Sequence, residues 1–195
     1  VLLASGTHLE ADLVVLALGS TPNSGLARHA GLALGARGGI VVDDHMRTSD
    51  PDIYAGGDVV ETPDFVTGQP VYIPLAGPAN REGRIIADNI AGRDSTYRGT
   101  QGTSALKVFG LTIAMTGLNE KALRRANLPF RKIVLHPFGH ASYYPGTAQM
   151  HAKLLFSPDG ARIYGAQIAG RDGVDKRIDV LATAMRAGLG VLDLE

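Results

Sequence analysis

The sequence predicts an α/β region followed by an α+β region, and three observations support this prediction. Residues 13–18 read LVVLAL, a continuous apolar run that is typical of a strand buried on both faces of a parallel sheet. Residues 77–92 have a helical period between a Gly-Pro start and a glycine stop. After a polar, glycine-rich stretch at 92–104, short strands and a Ser-Pro-Asp-Gly turn replace that pattern.

The composition indicates a globular protein and excludes several kinds of partner. Lys plus Arg and Asp plus Glu both number 19 among 195 residues, so no net field favours nucleic acid or an anionic membrane surface. No apolar run approaches the ~20 residues that span a bilayer and no signal peptide is recognisable, so we expect a cytoplasmic protein. The chain has no cysteine, which excludes thiol catalysis within it. Both ends are apolar, VLLASG and VLDLE, which predicts a segment of a longer protein.

In chain order, the α/β region continues with shorter elements. Residues 25–32 predict a short helix, and residues 38–44 and 52–58 predict brief strands. Residues 59–75 contain three prolines and no helical period, which predicts a surface loop.

The helix predicted at 77–92 is the best-defined element of this region. Gly77 can cap it, Pro78 suits its first turn, and Gly92 ends it. Its predicted buried stripe, with close backbone packing at the glycine, consists of Ala79, Gly83, Ile86, Ala87 and Ile90.

The α+β region predicts a run of strands with two helices. SALKVFG and LTIAMTG are adjacent strands, and Asn119 caps a short helix in which Leu118 and Leu123 have the spacing of a hydrophobic staple. RKIVLHP is a further strand, and MHAKLLFSPDGARIYGAQIAG is a hairpin. DKRIDVLATAMRAG predicts an amphipathic helix that ends at Gly188.

The stretch TSDPDIYAGGD at 48–58 is the first candidate for a functional site. If its strand lies in a parallel sheet, Asp58 falls at the carboxyl end, the edge where open α/β sheets bind ligands. A carboxylate there can accept hydrogen bonds from the hydroxyls of a ribose or polyol. The alternative is an aspartate that only caps a loop.

The ordered segments resemble the latter part of the two-dinucleotide-fold flavoprotein disulfide reductases. LVVLALGSTPN resembles the strand and G-x-x-P turn that return the chain from the NAD(P)H domain to the FAD domain. Thr48, Ala55, Gly57 and Asp58 match the second FAD motif, and IPLAGPANREGRIIADNIAG resembles the helix whose N-terminus faces the flavin pyrimidine edge. The FAD-binding residues that this resemblance implies are Gly57, Asp58, Pro78, Ala79 and Asn80.

The second half resembles the dimerisation domain of one branch of this family. TGLNEKAL, SYYPGTAQM, KLLF and GVDKRIDVLATAM are similar to segments of the coenzyme A disulfide reductase, NADH oxidase and persulfide reductase branch. The resemblance implies that Tyr143 or Tyr144 reaches the partner's redox cysteine in a homodimer, the alternative being a loop pair that packs at an interface. The implied domains are the end of the NAD(P)H domain (1–24), half of the FAD domain (25–97) and a dimerisation domain (98–195).

The function implied by the resemblance is electron transfer from NAD(P)H through FAD to a cysteine outside this chain. That cysteine would reduce coenzyme A disulfide, a persulfide or a related small sulfur substrate, with coenzyme A as a candidate ligand. Two alternatives stay open: an NADH oxidase that uses dioxygen, and a non-catalytic dimerisation module. The chain alone is expected to be inactive, because the dinucleotide phosphate loops and the nucleophile lie elsewhere.

No metal site is predicted from the histidines or the paired aspartates. His136, His140 and His151 surround the tyrosine loop without the i, i+4 spacing of a zinc motif, so we interpret them as structural or interface residues. The aspartate pairs at 43–44 and 50–52 are interpreted as turn residues beside glycine and proline.

Overall fold

Two β-sheets with flanking helices form the chain, in the order that the sequence predicts for an α/β region followed by an α+β region. The computed structural model describes residues 1–194. In chain order the strands are β1 (Ile40–Val41), β2 (Val60–Pro63), β3 (Pro70–Val71), β4 (Ser104–Val108), β5 (Leu111–Gly117), β6 (Arg131–Leu135), β7 (His151–Phe156) and β8 (Ile163–Gly170). The helices are α1 (Gly25–His29), α2 (Ala76–Ile90), α3 (Glu120–Arg125) and α4 (Val174–Ala187), followed by a 3-10 helix at Val191–Leu194.

The first sheet is small and mixed. Its order is β1-β2-β3, with β1 parallel to β2 and β3 antiparallel to β2. The predicted strand at 38–44 is confirmed only at Ile40–Val41, and the predicted helix at 25–32 is confirmed as α1. A compact core joins this sheet to α1, α2 and the segment after α2; its buried members are Ala27, Ile40, Met46, Val60, Ile85 and Tyr97.

The strand predicted at residues 13–18 is wrong. This run has no regular secondary structure, and its side chains are exposed, with Leu18 89% exposed. A strand buried on both faces needs hydrogen-bonded neighbours and covering layers. Within residues 1–194 no strand pairs with this run, so its apolar side chains meet solvent.

Two further predictions for the first region are corrected. Residues 52–58 contain only an isolated bridge between Arg47 and Tyr54, because the chain turns back on itself through Asp50. Within residues 59–75, residues 60–71 form the β2–β3 hairpin rather than a surface loop. Pro63 and Pro70 pair at the turn end of the hairpin ladder, where a missing N–H costs little.

Helix α2 begins at Ala76, slightly earlier than predicted, and ends at Ile90. Its predicted stripe is confirmed only in part: Ile86 packs against the core and Ala79 is half-buried. The fully buried side chains are instead Glu82 and Ile85, and Gly83 is exposed, with open space where a Cβ would lie. The sequence pattern misses this face because a fully buried carboxylate occupies the position where an apolar residue is expected.

The second sheet is five-stranded and wholly antiparallel, with the order β4-β5-β8-β7-β6. Helix α4 covers one face and ends at Gly188 in the left-handed conformation with φ 74°, as predicted. Helix α3 covers one end of the other face. The Asn119 side chain caps α3 by accepting from the N–H of Ala122 at 2.9 Å, and Leu118 packs near buried Leu123, so the predicted cap and staple are confirmed.

The tip of the β2–β3 hairpin, residues 64–69, joins the two sheets. Asp64 is buried and its carboxylate accepts hydrogen bonds from the N–H groups of Val66 and Thr67 at 3.0 and 2.8 Å. The Phe65 N–H donates to the carbonyl of Thr100 at 2.8 Å. Val66 packs against two core clusters of the second sheet, so this tip belongs to both regions.

None of the helices in residues 1–194 combines the length and the apolar character required to cross a bilayer.

Candidate functional site at the Gly57–Asp58 turn

The turn at Gly57 and Asp58 lies directly against the start of helix α2. Gly57 has φ 84°, a left-handed conformation that glycine adopts without strain. A Cβ at Gly57 would lie 3.8 Å from the Ala79 Cβ, and a Cβ at Gly56 would lie 2.9 Å from an Ile86 methyl. Of the predicted FAD-binding residues, the structure therefore brings Gly57, Asp58 and Ala79 together.

Glu82 holds this turn in position. The residue is 2% exposed, and its carboxylate accepts a hydrogen bond from the N–H of Gly57 at 2.7 Å. Burial raises the pKa of Glu82 above its ordinary value and the charge of Asp58 raises it further, while hydrogen bonds from Gly57 and Tyr97 oppose the shift. The turn and helix α2 are thus linked through one buried carboxyl group next to the exposed carboxylate of Asp58.

The start of helix α2 leaves its first N–H groups without a side-chain cap. The N-cap residue is Leu75, which has no side-chain acceptor, and no acidic residue lies in the first turn. The positive end of the helix dipole is therefore open to a negatively charged partner. Pro78 is partly buried, whereas the side chain of Asn80 is exposed.

Asp58 faces an open cleft of about 370 Å³. Ser20, Thr21, Asn23 and Tyr72 also line this cleft, and the hydroxyls of Ser20 and Tyr72 lie 3.3 Å apart. Hydroxyl and carboxylate groups around such a cleft suit a polyhydroxylated ligand, because each can exchange hydrogen bonds with ligand hydroxyls.

The two candidate tyrosines lie in the loop before β7, in the second sheet. Tyr143 is 87% exposed and Tyr144 is 57% exposed. The Tyr144 ring lies 5.2 Å from the His140 ring, and neither tyrosine lines the cleft that contains Asp58. Within one chain the structure does not bring these residues to the Gly57–Asp58 turn.

The histidines and aspartates make contacts that the sequence does not specify. His136 and His151 lie side by side with their Nδ1 atoms 2.7 Å apart. Asp43, Asp44 and His45 form a group with the geometry to hold an ion, but the Asp43 carboxylate accepts from the N–H groups of His45 and Arg47, which is a turn role. The absence of a metal site stays a prediction.

Glu82 and Tyr97 are the site residues that sequence reasoning missed. Glu82 occupies a helix position that reads as solvent-facing, and Tyr97 lies in a segment that reads as a polar linker. The glycine turn does signal that some acceptor is needed, since backbone N–H groups at tight turns need acceptors, but the sequence does not identify Glu82 as that acceptor.

Two profiles of one protein family match this chain. The profile described as "Pyridine nucleotide-disulphide oxidoreductase" matches residues 1–83, and the one described as its dimerisation domain matches residues 103–195. The chain belongs to the pyridine nucleotide-disulphide oxidoreductase family. Both the suspected family and the predicted fold class are thereby confirmed.

Curated members of this oxidoreductase family align over nearly all of the chain. The NAD(P)H sulfur oxidoreductase (CoA-dependent) of Pyrococcus furiosus is 34% identical over 98% of the chain and 43% of its own length. The coenzyme A disulfide reductase of Staphylococcus haemolyticus is 32% identical over 97% of the chain and 43% of its own length. The chain therefore spans about two fifths of the length of these relatives.

Solved structures in the family have the same fold. Reduced CoADR-RHD of Bacillus anthracis matches with a TM-score of 0.95 and 55% identity over 98% of the chain and 34% of its own. The NAD-dependent persulfide reductase of A. fulgidus matches with a TM-score of 0.93 and 43% identity, over 98% of the chain and 35% of its own. The water-forming NADH oxidase of Lactobacillus brevis matches with a TM-score of 0.88 and 31% identity, over 95% of the chain and 41% of its own.

Proposed function

We propose that this chain serves in a flavoprotein that passes electrons from NAD(P)H through FAD to a redox thiol, which reduces coenzyme A disulfide, a persulfide or a related small sulfur compound. The observation that supports it most is the contact between the Gly57–Asp58 turn and the uncapped start of α2, within a chain that two profiles of the oxidoreductase family match. The names of the relatives support this substrate class, because they are reductases of coenzyme A disulfide and of sulfur compounds.

The residues at the turn fit FAD. The exposed Asp58 carboxylate can accept hydrogen bonds from the hydroxyls of the ribityl chain, and Gly57 lets the backbone approach it closely. The free N–H groups at the start of α2, near Pro78, Ala79 and Asn80, can stabilise negative charge on the ring system. When bound, FAD would supply the transfer between the nicotinamide and the thiol.

The thiol is supplied from outside this chain, because the chain contains no cysteine. We propose that a second copy of the full-length protein, which carries the thiol in a part outside this chain, completes the site in a homodimer built with the dimerisation region; the profile at residues 103–195 supports this. Tyr143 or Tyr144 would then reach the partner's thiol, where a phenol can donate a hydrogen bond to sulfur or to bound coenzyme A. Tyr143 is the more exposed of the two, and Tyr144 packs near His140.

Replacing Asp58 tests the flavin assignment. In the full-length protein, Asp58→Ala removes a charged hydrogen-bond acceptor, and we expect FAD affinity to fall about 10- to 100-fold. The measurement is the ratio of flavin to protein absorbance after purification, followed by FAD titration of the apoprotein. Asp52→Ala is the matched control, because Asp52 is an exposed aspartate in the preceding turn. Flavin retention equal to that of the control would contradict the assignment.

Replacing Tyr143 or Tyr144 by phenylalanine tests the proposed role of a tyrosine at the partner's thiol. Tyr143→Phe or Tyr144→Phe removes a hydroxyl only, so we expect the correct variant to slow disulfide reduction while NAD(P)H still reduces the flavin at the normal rate. Stopped-flow measurement of the two half-reactions separates these effects. Equal slowing of both half-reactions in both variants would rule out a role for either tyrosine at the thiol.

The alternative acceptor is dioxygen, and the similarity to the water-forming NADH oxidase favours it to a lesser degree, at 31% identity. Steady-state oxidation of NADH is measured once with dioxygen and once with coenzyme A disulfide as the acceptor. Turnover with coenzyme A disulfide under strict anaerobic conditions identifies a disulfide reductase, and turnover only with dioxygen identifies an oxidase.

The remaining alternative is a non-catalytic dimerisation module. It predicts no flavin in the purified full-length protein and no NAD(P)H oxidation with any acceptor. Inactivity of residues 1–195 alone and the cytoplasmic location stay predictions from the sequence.

A further inference from the structure

A cleft of about 580 Å³ lies between the first turns of α2, the segment at residues 97–103 and helix α4. We call it the arginine cleft, and the side chains that matter for its chemistry are Arg81, Tyr97, Thr100, Gln101, Thr183 and Arg186. Its volume is in the range of small-molecule sites and exceeds what a single ion needs.

Two arginines, Arg81 and Arg186, line the arginine cleft without a carboxylate partner. Neither Arg81 nor Arg186 forms an ion pair with any acidic side chain of residues 1–194. Asp179 also lines the cleft but forms no ion pair with either arginine. Burial lowers the pKa of Arg186 below its ordinary value, and the positive charge of Arg81 lowers it further. An anion in the cleft would relieve this repulsion.

Arg186 is fixed in its orientation before any ligand arrives. Its Nη1 donates to the carbonyls of Arg98 and Gly99, each at 3.3 Å, and its Cζ lies 4.9 Å from the centre of the Phe65 ring. Because these contacts hold one edge of the guanidinium, little side-chain freedom is lost when the rest of the group binds an oxyanion.

Hydrogen bonds also hold other residues that line the cleft. The Gln101 side chain donates to the carbonyl of Ala182 in α4 at 3.0 Å, and the Thr100 hydroxyl accepts from the Gly102 N–H at 3.2 Å. Gly99 has φ 77°, and a Cβ there would collide with the carbonyl of Pro63. The cleft is therefore built from fixed backbone on one side and a helix on the other.

We propose that the arginine cleft binds the phosphate group of a small molecule, with Arg81 and Arg186 contacting the phosphate oxygens. Guanidinium groups match the geometry of phosphate through paired N–H donors, and threonine hydroxyls on both walls can add further hydrogen bonds. The phosphate is either free or carried by a nucleotide, since the volume of the cleft admits both.

Calorimetric titration of the full-length protein at low ionic strength tests this site, with inorganic phosphate, pyrophosphate and ADP as probes. We expect binding of at least one probe, weakened by added salt. Arg81→Gln should raise its Kd about tenfold, the loss expected for one charge-assisted contact. A similar Kd for phosphate and ADP identifies a free phosphate as the ligand, and tighter binding of ADP identifies a nucleotide.

Arg84→Gln is the matched control, because Arg84 is an exposed arginine on the same helix that does not line the cleft. The Kd of ADP bound at a dinucleotide site elsewhere would not change in Arg81→Gln. The test is therefore the difference in probe Kd between Arg81→Gln and Arg84→Gln. Failure of every probe to bind at millimolar concentration, or an equal effect of both variants, would overturn the proposal. Pro78, which the proposed flavin site also uses, lines this cleft as well, so the titration is made on the FAD-loaded protein. A loss of phosphate binding in Arg81→Gln with unchanged flavin content separates this proposal from the proposed electron transfer, whose own test is flavin content.

Discussion

The two regions of this molecule differ in how completely they bury their apolar residues. The second sheet has five strands, a helix on each face and fully buried residues such as Leu123, Leu155 and Ile178. The first region has strands of two to four residues and leaves the apolar run at 13–18 in solvent. An apolar run becomes a strand only where neighbouring strands can satisfy its backbone, and residues 1–194, which span part of the length of the relatives, contain no such neighbour for this run.

The largest expected contrast between the regions comes from the same substitution made in each. Leu155→Ala removes a side chain that is 0% exposed, and we expect the free energy of unfolding to fall by about 2–5 kcal/mol. Leu16→Ala removes a side chain that is 78% exposed, and we expect a change within about 0.5 kcal/mol. Denaturant titration of both variants checks this. A loss at Leu16 comparable to that at Leu155 would show that the run at 13–18 is packed.

A methyl group added to a glycine probes the tightness of the second sheet. A Cβ at Gly165 would collide with the carbonyl oxygen of Leu118, so Gly165→Ala should cost about 1–3 kcal/mol of unfolding free energy. Gly110→Ala is the control, since nothing lies near its Cα and its φ is not positive. Thermal unfolding of the pair measures the difference, and an unaffected Gly165 variant would mean that β8 and Leu118 separate easily.

Glu82 tests the polar core of the first region. Glu82→Ala leaves the Gly57 N–H without its acceptor, and we expect a loss of about 1–3 kcal/mol. Glu82→Gln keeps an acceptor oxygen and should recover most of that loss. Denaturant titration at fixed pH compares the two variants.

The raised pKa of Glu82 also predicts a pH dependence of stability. Between its ordinary pKa of 4.5 and the higher value in the folded state, the native protein binds more protons than the unfolded chain. Stability from Glu82 is therefore present below pH 4.5 and is lost as pH rises through the folded pKa. Glu82→Gln should remove this component from the pH profile of unfolding. An identical profile in the variant would contradict the assignment.

The smallest expected effect is a gain in stability. Gly83 lies in the middle of α2 with open space beside it, so Gly83→Ala should stabilise the chain by up to about 1 kcal/mol through helix propensity. A shift of the unfolding midpoint upward checks this. A loss would indicate that a neighbour packs closely against Gly83 in solution.

The contrast between the regions also explains which sequence predictions were confirmed. The Asn119 cap, the Leu118–Leu123 staple and the Gly188 stop are local signals whose partners lie within a few residues, and all three are present. The strand at 13–18 failed because its outcome depends on distant neighbours. The hairpin at 60–71 was missed because its prolines read as a loop, although they lie where the ladder needs no donor.

The candidate site was predictable in part for the same reason. Gly57 and Asp58 are recognisable because a glycine pair before an aspartate is a compact local signal. The role of Glu82 depends on a 25-residue separation along the chain, and the arginine cleft depends on Arg81 and Arg186 from different helices. Spacing along a sequence carries no information about such contacts until the fold brings them together.

The hairpin tip with Val66 has a mechanical consequence. Because the Val66 side chain packs against two apolar clusters of the second sheet, the two regions are joined by a packed contact as well as by the connecting chain. Bending between them would have to pull Val66 out of both clusters at once. Any change in the distance from the Gly57–Asp58 turn to the tyrosine loop by such bending would therefore expose apolar surface at Val66, which costs free energy.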